Sequence, residues 1–156
     1  MYQATGLYFE DFEIGKRYRH EASRTCTMTD SITYSLMCMD TEPAFVDEHW
    51  ATKHSRNKRL EIHPFYVAAI CLGVQVNDLT LGTTLGNLGM FDAKWGVPVY
   101  PGDSLRGETT ILAKKESRTK LDRGVVEFFH EGFNHRDELV FSARRTGMMR
   151  RRPAAA

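Results

Sequence analysis

The 156-residue sequence has almost no net charge: 21 lysines and arginines stand against 20 aspartates and glutamates, a formal +1. So even a balance gives no long-range field to draw nucleic acid or an anionic membrane surface, and neither is expected as a partner. The only local basic cluster, Arg144, Arg145 and Arg150 to Arg152, reads as a solvated strand end. Cysteine is scarce: Cys26, Cys38 and Cys71 are an odd number without metal-ligand spacing, so no disulfide framework and no metal site are expected. Cys38 and Cys71 fall in apolar helical patterns and read as small buried hydrophobes. A long apolar run and a signal peptide are also missing, which together with reduced thiols makes the cytoplasm the expected compartment. Repeats and low-complexity linkers are lacking as well. The length fits one domain over residues 1–150, with 151–156 (RRPAAA) expected to be a disordered tail.

What is present is ordered along the chain. LYFEDFEIGKRY, from Leu7 to Tyr18, mixes aromatics with acids around Gly15 and suits a docking arm and turn that covers a core edge. Arg24 to Thr27 is a short strand candidate. Thr29 and Asp30 then offer N-caps for a helix through SITYSLMCMD, which ends close to Asp40. Pro43 restricts the chain, and DEHWATKHSRNKR reads as a short helix followed by a basic, exposed loop. From Pro64 to Asn77 the residues Phe65, Ala68, Ala69, Leu72, Val74 and Val76 make a helix apolar around most of its circumference, which belongs inside the fold. Pro64 is tolerated in its first turn. Four strands are expected after it: Leu85 to Trp95, Ser104 to Glu116, Gly124 to Asn134 and Glu138 to Met149, the last two joined as an antiparallel hairpin through NHRDE. One buried helix followed by long strands is an α+β arrangement, an antiparallel sheet curved around a helix.

Several segments resemble, in the same order, those of MaoC-like hydratases of the hot-dog fold. YFEDFEIG is similar to that family's N-terminal arm, MDTEPAFVDEHWA to its catalytic segment, and IHPFYVAAICLGVQVND to its central helix. NLGMFDAKWGVPVYPGDSL looks like its strand, proline, Pro-Gly-Asp turn and next strand, while KKESRTKLDRGVVEF and the ending in RRP resemble one subgroup. The resemblance implies a homodimer or higher homo-oligomer with sites at subunit interfaces. It also implies an acyl chain carried as a CoA thioester, with CoA part of the substrate and no separate cofactor. The implied reaction is reversible addition of water across the C2=C3 bond of a 2-enoyl-CoA. That chemistry needs a group to activate water, a proton-transfer group for C2, and donors for the thioester oxygen, such as free amides at a helix N-terminus.

The family pattern is close to Asp-x-Asn-Pro-x-His-x-Asp, against which this chain offers Asp40, Thr41, Glu42, Pro43, Ala44, Phe45, Val46 and Asp47. The acid Asp40 is kept, but Phe45 replaces the histidine and transfers no proton. The candidates for the second group are His63, just before the central helix, Glu42 at the family's Asn position, and His49 one turn past Phe45. Each also has a bland reading: Asp40 as a helix end, His63 as a loop-ordering residue, Glu42 and His49 as surface residues. Pro64 stands where a glycine or small residue commonly offers an N–H to the thioester oxygen, and proline has none; the Phe65 amide is the alternative donor. Asn87 and Gly89 fall on the strand where such proteins lay the thioester arm, or mark a bulge. Lys53, Lys58, Arg59, Arg118 and Arg123 are undistinguished candidates for CoA phosphates.

These readings lead to a hydratase/dehydratase (lyase) for short, branched or dicarboxylic enoyl-CoA, with Asp40, His63 and Glu42 catalytic and Phe45, Phe65, Asn87 and Gly89 substrate-binding. The alternative is a catalytically impaired thioester-binding protein, or the inactive half of a heteromer with a catalytic paralogue, favoured by Phe45 and Pro64. A thioesterase-like reading rests on Glu61 alone.

Overall fold

A computed structural model of the chain describes residues 5–153. Five antiparallel strands form one sheet: β1 (Arg17–Thr25), β2 (Thr84–Trp95), β3 (Ser104–Glu116), β4 (Arg123–Phe133) and β5 (Leu139–Arg150), in the spatial order β1-β3-β4-β5-β2. Among the described residues four α-helices precede β2 in the chain: α1 (Met28–Met37), α2 (Pro43–Val46), α3 (Glu48–His54) and α4 (Pro64–Gly73). The last lies against β3, β4 and β5, so the sheet curves around α4 as the apolar pattern requires. No helix among the described residues is long and apolar enough to cross a membrane.

The alternation of side chains explains the concave face. Along β4 the buried positions are Gly124, Val126, Phe128, His130 and Gly132; along β3 they are Leu105, Gly107, Thr109 and Ile111. Gly107 and Gly132 are cross-strand partners directly beneath α4, where an added Cβ would strike Val74 in the first case and Cys71 in the second. Their lack of side chains lets the helix approach the sheet. Two apolar clusters fill the concavity. One, under α4, joins Val67, Ala68 and Cys71 to Leu105, Phe141 and Ala143. The other joins Phe9 and Phe12 of the N-terminal arm to Leu79, Ile111, Phe128 and Met149. Between the two clusters runs a buried polar stripe of His20, Thr109, His130 and Arg145.

Several boundaries differ from expectation. The first strand starts at Arg17, because Gly15, at φ +85°, turns the arm directly into pairing with β3. Most of β1 is exposed, so it carries no apolar alternation to betray it. The cap of α1 is Thr27 rather than Thr29 or Asp30: Thr27 Oγ1 accepts from the Asp30 amide at 3.2 Å, and Asp30 Oδ2 accepts from the Thr27 amide at 2.8 Å. This reciprocal pair is a capping box. Helix α4 ends at Gly73, and the chain loosens into a π-helical turn, Val76–Thr80, in place of helix to Asn77. Cys38 is exposed at the end of α1, whereas Cys71 is buried as expected. Arg144 and Arg145 point to opposite faces of β5, the first exposed and the second buried, so the basic cluster is not one solvated end. Arg151 and Arg152 donate to Glu10 and Asp11 of the arm at 2.8 and 2.7 Å, which ties them to the domain; residues 154–156 of the expected tail lie outside the described residues.

Candidate active site

Two helix ends build the site. At the C-terminus of α1, Met39 takes a left-handed conformation, φ 60°. Its amide donates to Leu36 O at 3.1 Å and the Asp40 amide to Ser35 O at 2.9 Å. These two bonds are a Schellman closure, which satisfies the last carbonyls and fixes where Asp40 leaves the helix. At the start of α4, His63 is the N-cap, and Pro64 takes the first position, where its missing N–H costs nothing. The His63 amide is anchored on Ser31 Oγ at 3.0 Å, so α1 also positions α4.

The result is a side-chain pair: His63 Nε2 lies 2.9 Å from Asp40 Oδ2. The Phe65 amide donates to His63 Nδ1 at 3.2 Å, so the neutral ring carries its hydrogen on Nε2 and donates it to the carboxylate. Asp40 Oδ1 accepts from the Glu42 amide at 3.0 Å. The Glu42 N–H first, and the His63 ring second, hold the Asp40 carboxyl below the usual carboxylate range. The imidazole is buried, while the Asp40 side chain is 42% exposed and so reaches solvent. Aromatic rings enclose His63: Tyr34 and Phe45 each at 4.9 Å between centroids, and Phe65 at 6.0 Å.

On the far side of Phe45 and Pro64 from this pair lies a cavity of about 170 Å³, lined by Phe45, Glu61, Pro64, Trp95, Val97 and Val140 among others; neither Asp40 nor His63 lines it. Trp95 closes one side; its Nε1 donates to Pro64 O at 2.8 Å and its ring meets Phe65 edge-on at 5.2 Å. A buried imidazole paired to a water-accessible carboxylate, with the Phe45 ring between it and an apolar cavity, can bind and polarise water next to an apolar group.

Of the expected site residues, Asp40, His63, Phe45 and Phe65 come together here. Glu42 contributes its backbone amide, and as a residue it is exposed. His49 is exposed on α3. The Phe65 amide is already engaged by His63 Nδ1, so it serves a ligand oxygen only when that long bond opens. Glu61 lines the cavity with its Oε1 accepting from Asn57 Nδ2 at 2.6 Å. Of the loop cations, Arg59 stacks on Tyr100 at 4.0 Å, Lys58 caps Lys53 O at 2.6 Å, and Arg123 pairs with Asp122. Among the described residues no group of three His, Cys, Asp or Glu side chains is placed to hold a metal ion.

Asn87 and Gly89 are not part of this cluster. They lie on β2, and Asn87 lines a second cavity of about 350 Å³ along the C-terminal half of α4. That cavity and the polar stripe behind it join residues distant in sequence, so no local pattern announces them. Arg145 Nε donates to His130 Nε2 at 3.0 Å; His130 Nδ1 meets Thr109 Oγ1 at 2.9 Å, Thr109 Oγ1 meets His20 Nε2 at 2.8 Å, and His20 Nδ1 meets Asp78 Oδ2 at 2.8 Å. Arginine only donates, so His130 Nε2 accepts, and the neutral His130 ring donates from Nδ1 to Thr109 Oγ1. Burial, followed by the neighbouring Arg145 charge and His20, pushes the His130 pKa down to about 3, in keeping with that neutral form.

The family model described as mesaconyl-CoA hydratase matches residues 2–156. The mesaconyl-CoA hydratase of Cereibacter sphaeroides is 28% identical over 151 residues, covering 97% of this chain and 43% of that protein, so the chain spans less than half of this relative's length. The crystal structure of a MaoC-like dehydratase from Rhodospirillum rubrum superposes with a TM-score of 0.82 at 29% identity, covering 95% of this chain and 99% of that one. A Mycobacterium tuberculosis protein described as a double hot-dog fold superposes with a TM-score of 0.86 at 17% identity, covering 97% of this chain and 46% of that one. The antiparallel sheet around α4 is therefore a hot-dog fold.

Proposed function

The chain belongs to the mesaconyl-CoA hydratase family, and from that premise we propose that it hydrates a short, branched 2-enoyl-CoA thioester reversibly, with mesaconyl-CoA the leading substrate. The observation that supports this most directly is the Asp40–His63 pair at 2.9 Å, with an apolar cavity behind Phe45 at the α4 N-terminus. In this reading Asp40 takes a proton from the attacking water as the oxygen bonds to C3. The C2=C3 electron pair moves onto the thioester carbonyl, and the proton returns to C2 from the Asp40–His63 pair. The Phe65 N–H exchanges His63 Nδ1 for the thioester oxygen as its charge develops, at the positive end of α4. Glu42 then acts through its amide, by keeping Asp40 ionised. The working assembly is a homodimer paired through the open edge of β2, where Leu88, Met90, Phe91 and Trp95 are exposed.

A second reading is favoured by one observation: the Phe45 ring packs on His63 where the resembled pattern has a proton-transferring histidine. In that reading the cleft binds the thioester without turnover. Loss of enoyl absorbance over a panel of short and branched enoyl-CoAs, with the Asp40→Ala variant alongside, separates the two. The hydratase reading expects turnover that falls at least about a hundredfold in Asp40→Ala. Measurable binding without turnover would leave the second reading standing, and release of free thiol would favour thioester hydrolysis through Glu61.

A further inference from the structure

Phe45 stands between two spaces. Towards the site its ring meets the His63 imidazole at 4.9 Å between centroids, a contact distance for two rings, so no carbon chain passes between them. The same side chain lines the cavity of about 170 Å³, which neither Asp40 nor His63 reaches. Phe45 and Pro64 are therefore what divides the cavity from the Asp40–His63 pair.

The two dividers differ in kind. Pro64 belongs to the frame: it opens α4, and its carbonyl accepts from Trp95 Nε1 at 2.8 Å. Phe45 sits in the single turn of α2, which main-chain bonds hold in place. The Glu61 amide donates to Ala44 O at 3.2 Å, the Phe45 amide to Glu42 O at 3.0 Å and the Asp47 amide to Pro43 O at 2.9 Å. None of these needs the ring, so the turn keeps its position whatever side chain residue 45 carries. The ring itself is only half-buried and has empty space on its cavity side, where it forgoes dispersion contacts.

The chemistry of the cavity is that of hydrocarbon. Val67, Val97, Pro98, Val99 and Val140 form most of its wall, and its one carboxylate, Glu61, already accepts from Asn57. Apolar walls give water too few partners, and at roughly 30 Å³ for a small group the volume takes about five or six methylenes.

From this we infer that Phe45 is a specificity-determining partition: it confines the acyl group at the Asp40–His63 pair to a short chain, and the cavity behind it is a tail pocket that the ring keeps shut. The inference rests on the thioester reading above and adds the acyl length and the residue that sets it.

The test is calorimetric titration of the intact chain with butyryl-CoA and octanoyl-CoA, saturated thioesters whose binding needs no turnover. Four proteins are compared: wild type, Phe45→Ala, Phe45→Leu, and Phe45→Ala combined with Val97→Phe. Wild type is expected to bind octanoyl-CoA no more than about threefold more tightly than butyryl-CoA. Each methylene buried in an opened cavity is worth about fourfold, so Phe45→Ala is expected to prefer octanoyl-CoA by about tenfold to a hundredfold. Phe45→Leu opens a narrower passage and is expected to prefer it by at least about fivefold, which decides the matter should Phe45→Ala fail to fold. Val97 lines the cavity from the β2–β3 connection, and Val97→Phe refills it. The combined variant is therefore expected to return to the wild-type ratio, which separates this cavity from hydrocarbon binding elsewhere on the protein. A wild type that prefers octanoyl-CoA by more than about threefold, Phe45 variants without a gain, or a gain that survives Val97→Phe would overturn the inference. Binding of neither thioester to wild type would instead remove the thioester reading, and the inference with it.

Discussion

The Phe45 ring faces the His63 imidazole at a centroid separation of 4.9 Å and an interplanar angle of 54°. Phe45 lies in α2, whose placement follows from Pro43 at its first position, and His63 is the cap of α4. The contact therefore joins the segment that resembles a catalytic motif to a residue outside that motif. A histidine at position 45 would stand beside the His63 ring of the Asp40–His63 pair. Phe45→His is expected to raise kcat/KM for mesaconyl-CoA hydration by about tenfold to a hundredfold, the lower part of what a positioned general acid–base contributes. An unchanged rate in steady-state assays would mean that His63 already fills the role.

The Asp40–His63 pair predicts a pH profile. The Glu42 amide and the His63 ring depress the Asp40 pKa, so the ionised, proton-accepting form persists on acidification below the usual aspartate range. The acid limb of kcat/KM is then expected below the ordinary aspartate range in wild type. Removing a stabiliser of the carboxylate raises its pKa, so the limb moves upward in His63→Leu, which has no donor to replace Nε2–H. A His63→Leu variant that loses rate without moving the limb would show that His63 does not act on Asp40. The double variant with Asp40→Asn should be little slower than the worse single one, because the two act as a unit.

Much of this was readable from residue patterns. The strands β3, β4 and β5 carry long alternations, and Ser104–Glu116 appears in the structure with the bounds its pattern gives. Helix α4, expected to be buried all round, buries only Val67, Ala68 and Cys71 against the sheet, and Phe65 and Ala69 on its other side are exposed. The Asp40–His63 contact spans 23 positions, so spacing alone left His63, Glu42 and His49 as alternatives until α1 and α4 were seen to meet at Ser31. The stripe from Arg145 to Asp78 did have a signal. His130 and Arg145 fall at the buried parity of β4 and β5, where each interrupts an apolar or small-residue row. A polar residue at a buried register needs a partner, but the partners lie on other strands. Which strands neighbour which is a property of the sheet order, and no local pattern contains it.

Met39 predicts a gain in stability. It holds the left-handed position of the α1 closure at φ 60°, where a Cβ is unfavourable, and its side chain is exposed and packs on nothing of consequence. Met39→Gly removes the strain at the cost of a more flexible unfolded chain. A net stabilisation of about 0.5–1 kcal/mol is expected, read as a higher urea midpoint at unchanged m. Activity should be preserved, because the backbone that aims Asp40 is the one glycine favours.

His130 predicts acid sensitivity. Its pKa falls from 6.5 to about 3 in the folded chain, through burial first and the Arg145 and His20 neighbours next. The unfolded chain takes up a proton below about pH 6.5 that the folded chain refuses until about pH 3. The neutral ring's contribution is thus complete above the unfolded value and is lost as pH falls towards the folded one. At pH 5 the loss from this group is on the order of 2 kcal/mol. His130→Asn keeps an acceptor for Arg145 and a donor for Thr109 but cannot be protonated. It should be less stable than wild type at neutral pH and should lose less stability between pH 6.5 and 5, by about that amount. Urea unfolding at the two pH values measures both differences. Parallel lines for the two proteins would mean that His130 is protonated in the folded state, and the donation from His130 Nδ1 to Thr109 by a neutral ring would then be wrong.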